Sequence, residues 1–113
     1  MRQNKERLSK VIDELLTYLF SIGATDLTIK MQERKNDFKI HIQSNYSQVE
    51  KDKIEHLIKA LHFPKQEEME EYYWNLTGTS NVGTELFLIG MMIDEAQVNV
   101  RDTRLEIELY RYK

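Results

Sequence analysis

The chain has no cysteine, one proline, four glycines and one tryptophan among its 113 residues. The missing cysteine excludes disulfides, thiolate metal ligands and a cysteine nucleophile, and it suits a reducing compartment. No uninterrupted run of about 18 apolar residues is present to span a bilayer. The first residues include the charged Arg2, Lys5, Glu6 and Arg7 where a secretion signal would carry its apolar core. Sixteen Lys and Arg are interspersed with nineteen Asp and Glu for a net charge of −3, so no surface that tracks a phosphate backbone is indicated. The expectation is a cytoplasmic chain that partners neither membrane nor nucleic acid. Three histidines, His41, His56 and His62, lack the i, i+4 spacing that sets two imidazoles on one metal ion, so no metal site is expected.

What is present is amphipathic patterning. With 41% hydrophobic residues, a chain of this length can bury one core, and residues 1–113 are read as a single domain. Leu8, Val11, Ile12, Leu15, Leu16, Leu19 and Phe20 recur at helical spacing, with Lys10, Asp13, Glu14 and Thr17 assigned to the other side. Gly23 then ends the helix, and the period changes from 3.6 to 2. Leu27, Ile29 and Met31, then Phe38, Ile40 and Ile42, alternate with polar residues across a turn at 34–37, which predicts a hairpin. Val98 and Val100, then Leu105, Ile107 and Leu109, repeat the pattern around a turn at Asp102 and Thr103.

Between the hairpins, Ile54, Leu57, Ile58 and Leu61 predict a short helix opening near Ser47, which Phe63 and Pro64 interrupt. Met69, Tyr72, Tyr73 and Leu76 suggest a further helical piece with an acidic first turn at Glu67, Glu68, Glu70 and Glu71. Residues 84–93 are apolar on nearly every side, as in a central covered helix; Gly90 within them suggests a close helix-on-sheet contact. The order α-β-β-α-(α)-α-β-β predicts an α+β fold: a two-layer sandwich with helices on one face of a four-stranded mixed or antiparallel sheet. The other face is left to water or a partner. Tyr110 and Tyr112 fall on that face beside Glu106 and Glu108, and the consecutive Tyr72, Tyr73 and Trp74 supply a second candidate docking surface.

Residues 75–83 form a polar loop containing Gly78 and Gly83 that runs straight into the 84–93 helix, a setting in which backbone N–H groups can face an anion. This loop, the helix after it and the closing hairpin resemble the ATP-binding domain shared by sensor histidine kinases, anti-sigma-factor kinases, type II topoisomerases and Hsp90, the GHKL or Bergerat fold. The resemblance spans residues 8–110. Val82 and Gly83 with the following helix look like the family's Gly-Leu-Gly helix, residues 11–20 like its N-box helix, and residues 38–45 like the strand entering its Asp-x-Gly box.

The resemblance implies a nucleotide pocket at Glu14, Tyr18, Ser44, Asn45, Gly78, Thr79, Asn81 and Gly83. At those positions the chemistry departs from the family's pattern. Tyr18 stands where an asparagine would hold Mg²⁺, Ser44 where an aspartate would accept from adenine, and Tyr46 near the glycine that follows. No lysine or arginine lies within the glycine loop to neutralise a triphosphate. The expectation is therefore a degenerate, non-catalytic member without a cofactor, acting in bacterial regulation by binding another protein or itself, possible homodimer included. The alternative is a divergent ATP- and Mg-binding serine kinase of the anti-sigma-factor type, with Glu14 as its polar N-box residue and Asn45, Thr79, Asn81 and Gly83 around the phosphates.

Overall fold

The computed structural model describes residues 2–62 and 89–113. Helix α1 spans Arg2–Ser21, strand β1 Leu27–Glu33 and strand β2 Asp37–Asn45; a 3₁₀ turn at Gln48–Glu50 leads into helix α2, Asp52–Leu61. Residues 89–91 are helical, followed by β3, Glu95–Arg101, and β4, Arg104–Tyr112. The fold is α+β. Its sheet has the order β1-β2-β4-β3 with every neighbouring pair antiparallel, which resolves the mixed-or-antiparallel alternative.

Register explains why one face is buried. Across the sheet, Ile29, Ile42, Ile107 and Val98 stand side by side, and so do Met31, Ile40, Leu109 and Ala96. On the two central strands these residues are fully buried, together with Phe38 and Leu105. At the edges Met31 and Val100 are left exposed. Helices α1 and α2 cover this face through Leu8, Val11, Leu15, Leu19, Leu57 and Ala60, in one cluster that also takes Ile89 and Met92. Lys39, His41, Gln43, Glu106, Glu108 and Tyr110 fill the other face of β2 and β4.

The arc of α1 that the core takes is narrower than its apolar stripe. Phe20 is 60% exposed and Ile12 is only partly buried, whereas Tyr18 and Glu14 are both 7% exposed. Glu14, expected on the polar side, lies one turn from both Val11 and Tyr18 and so shares their face. Its carboxylate is held 2.8 Å from Lys10 Nζ.

Two glycines fix the packing. Gly23 ends α1 at φ +92°, and a Cβ there would sit 2.7 Å from Ser47 Cβ, where the Ser47 N–H donates to the Ile22 carbonyl. A Cβ on Gly90 would lie 1.8 Å from the Ala60 carbonyl oxygen and 3.4 Å from Leu61 Cα. The close approach expected at Gly90 is thus helix on helix, against the end of α2, and not helix on sheet. The absent side chain lets two backbones touch.

At the far end of the sheet, Arg111 points to the covered side. Its Nε donates to Asn4 Oδ1 at 2.8 Å and its Nη1 donates to the Met92 carbonyl, tying the start of α1 to the segment entering β3. Among the described residues, no helix is long and apolar enough to cross a membrane.

Replacing Gly90 with alanine should lower unfolding stability by about 3 kcal/mol or more, because the obstacle is backbone and cannot rotate away. Gly23→Ala should cost about 1–3 kcal/mol through its left-handed φ and the crowded Ser47. Urea denaturation of both variants checks the order.

Candidate functional site

The described residues among those assigned to a nucleotide pocket come from the inner face of α1 and the end of β2. Tyr18 reaches from α1 to the first turn of α2, where its hydroxyl donates to the Lys53 carbonyl at 2.7 Å. Burial, and then the nearby Glu50 carboxylate, push its pKa upward, so the hydroxyl stays a protonated donor. Lys53 in turn lies 3.0 Å from Glu50. A side chain on α1 thereby fixes where α2 begins.

Ser44 is fully buried, and its hydroxyl donates to the Asn45 carbonyl at 2.8 Å. The Asn45 amide is committed to the α1–β1 connection. Its Oδ1 accepts from the Thr25 and Asp26 N–H groups at 2.8 and 3.0 Å, and its Nδ2 donates to Thr25 Oγ1 at 2.8 Å. These three bonds account for most of what a carboxamide can make.

Tyr46 is 3% exposed. Its hydroxyl donates to the Asp102 carbonyl at 2.6 Å, and its N–H donates to the Thr103 carbonyl at 3.0 Å. One residue therefore pins the β3–β4 turn to the end of β2. Asp102 sits in that turn at φ +54°, a left-handed conformation that aspartate tolerates better than most residues.

The structure thus brings Glu14 and Tyr18 together on one helix face and Ser44, Asn45 and Tyr46 together at one strand end. Gly78, Thr79, Asn81 and Gly83 lie outside the described residues, as do Tyr72, Tyr73, Trp74 and the four glutamates at 67–71. No cluster of three or more histidine, aspartate or glutamate side chains that could hold a metal ion occurs among the described residues.

Sequence reasoning did not anticipate an open groove of about 310 Å³ on the polar sheet face, lined by Gln43, Asn99, Arg101, Arg104, Leu105 and Glu106. The only signal for it was a pair of arginines flanking the Asp102–Thr103 turn, which the hairpin register sets directly opposite each other. Beyond the groove the face is a charge network. His41 Nε2 lies 2.8 Å from Glu106 Oε2, Lys39 Nζ lies 3.3 Å from Glu108, and the Tyr110 hydroxyl donates to Glu108 at 3.0 Å. Tyr110 also carries Arg34 over its ring at 5.6 Å, a cation–π contact beside that network.

The Tyr110 and Lys39 bonds hold the Glu108 carboxyl below its ordinary pKa; the Arg34 fork does the same for Asp37, and Lys113 with Lys5 for Glu33. A scan against models of known protein families and a search of curated proteins each return no match.

Tyr18→Phe and Tyr46→Phe should each reduce stability by about 1–2 kcal/mol in urea melts, since each removes a hydrogen bond from a buried tyrosine to a backbone carbonyl. Glu33, Asp37 and Glu108 are ionised more readily folded than unfolded. Their contribution is complete above the unfolded carboxylate range of about 4 and is lost as pH falls through the depressed folded values. A Glu33→Gln, Asp37→Asn, Glu108→Gln variant should accordingly show a flatter fall of urea midpoint than the parent between about pH 5 and pH 2.5.

Proposed function

We propose that this chain is a regulatory interaction domain on a GHKL-like frame whose nucleotide pocket has been given over to structural side chains. The carrying observation is the pair Tyr18 and Tyr46. Tyr18 stands where the resemblance implies a magnesium-holding asparagine and Tyr46 near the glycine it implies after the adenine-binding aspartate, and each is buried with its hydroxyl on a main-chain carbonyl. An asparagine at 18 would present an amide oxygen to a cation; the tyrosine presents a phenol already bonded to α2. A glycine near 46 would let the backbone approach a nucleotide closely; the tyrosine there is buried and bonded to the β3–β4 turn.

Further support comes from Asn45, whose amide closes the α1–β1 connection, and from Ser44, whose hydroxyl is turned onto its neighbour's carbonyl. The order of the described elements, with α1 and α2 on one sheet face, agrees with what the resemblance implies. Function on this reading rests on the uncovered face. Its ordered charge network and groove offer a partner complementary polar contacts and orientation. The partner is another protein or a second copy of this chain, and the mechanism is occlusion or scaffolding without turnover of a nucleotide.

Mg-ATP at millimolar concentration should leave the thermal midpoint of the parent unchanged, because only a ligand bound to the native state raises stability by RT ln(1 + [L]/Kd). A rise of several degrees would overturn the proposal and favour the serine-kinase alternative. A Tyr18→Asn, Ser44→Asp, Tyr46→Gly variant that gained a response to ATP would support the shared ancestry.

A further inference from the structure

Strand β3 ends the sheet order β1-β2-β4-β3, and among the described residues nothing pairs along its outer side. Such an edge is a template for another strand unless proline, a bulge or an inward charge blunts it. The β3 sequence, Glu-Ala-Gln-Val-Asn-Val-Arg, has no proline, and its core-facing positions are Ala96, Val98 and Val100. Val100 is 41% exposed, so the covered layer runs out before the apolar row does. The His62 Nε2 lies 3.0 Å from the Ala96 carbonyl, which marks that carbonyl as turned to the outside. By the alternation of an antiparallel ladder, Val98 and Val100 direct their N–H and C=O groups the same way.

The strand is complementary to itself. Paired antiparallel about Val98, Ala96 meets Val100 of the second copy and Val98 meets its own counterpart, all on the covered face. On the polar face Gln97 meets Asn99, and Glu95 meets Arg101, the latter twice because a two-fold axis repeats every contact. Both faces keep their character, apolar beside apolar and opposite charges opposed. The other edge strand, β1, is different: pairing its full length about its centre would set Lys30 against Lys30 of the other copy, a like-charge contact that disfavours it.

Building on the interaction role proposed above, we infer that the outer edge of β3 pairs antiparallel with β3 of a second copy about Val98, joining two four-stranded sheets into one. Two local contacts are compatible with this pairing. The Ala96 carbonyl has a second lone pair to accept from Val100 of the other copy beside His62. Glu95 keeps a second carboxylate oxygen while it binds the Tyr112 hydroxyl. A strand-edge contact of this length makes a small interface, so the dimer is concentration-dependent rather than permanent.

Sedimentation equilibrium from about 1 µM to about 500 µM should show reversible dimerisation. Glu95→Arg alone and Arg101→Glu alone should each weaken it about tenfold or more, and the two together should restore it to within about threefold, because the exchange recreates both opposite-charge pairs. In the parent, the amides of Ala96, Val98 and Val100 should exchange more slowly as concentration rises. That measurement decides alone if either single variant melts more than about 5 °C below the parent. A chain that stays monomeric, a dimer indifferent to both single reversals, or one that the exchange fails to restore would overturn the pairing. Monomeric behaviour with no response to Mg-ATP removes the β3 dimer and leaves the proposed interaction role standing; stabilisation by Mg-ATP removes that role whatever the oligomeric state.

Discussion

The described residues are arranged around burying one face of β2 and β4. The two strands lie side by side at the centre of the sheet and contribute Phe38, Ile40, Ile42, Leu105, Ile107 and Leu109, all essentially inaccessible. Each such side chain gains about 1.5–3 kcal/mol on leaving water. A sheet cannot shield that row by itself, so α1 and α2 must lie across it. The helical layer sits on that face because the opposite rows, with Lys39, His41, Glu106 and Glu108, are satisfied by one another and by solvent.

With that layer in place, a few polar side chains set the finer geometry. Tyr18 bridges α1 to α2, Tyr46 bridges β2 to the β3–β4 turn, Asn45 closes the α1–β1 connection, and Arg111 links α1 to the residues entering β3. Tyr18, Tyr46 and Arg111 donate to main-chain carbonyls elsewhere in the chain, because a buried donor without an acceptor is costly, and Asn45 accepts from two main-chain N–H groups. The Tyr18 hydroxyl joins α1 to α2, and the Tyr46 hydroxyl secures the β3–β4 turn.

Much of this was legible in residue spacing. The two hairpins, the end of α1 at Gly23 and the α2 helix follow from a change of apolar period and from the glycine's freedom at φ +92°. Other features were not. Glu14 looked solvent-facing because it is charged, yet its angular position beside Val11 and Tyr18 turned it inward, and Phe20 looked buried because it is apolar, yet it fell past the edge of the covered arc. A helical wheel gives directions around an axis but not how wide an arc the sheet will cover. The Arg101–Arg104 groove stayed hidden for a similar reason, since its walls come from β2, β3 and β4 and exist only once the strand order is known.

Among the described residues, the sequence by itself determined that α1 and α2 are helical, that four stretches are extended and which side of each central strand is apolar, because these depend on neighbours within a turn of helix or two residues of strand. Only the tertiary structure decided that β2 and β4 are central with β1 and β3 at the edges, that Gly90 touches the backbone of α2, and that the hydroxyls of Tyr18 and Tyr46 end on carbonyls 35 and 56 residues away. Local periodicity states that a face must be covered. The covering partner is chosen by the whole chain at once, through how its layers fit and which buried polar groups then find each other.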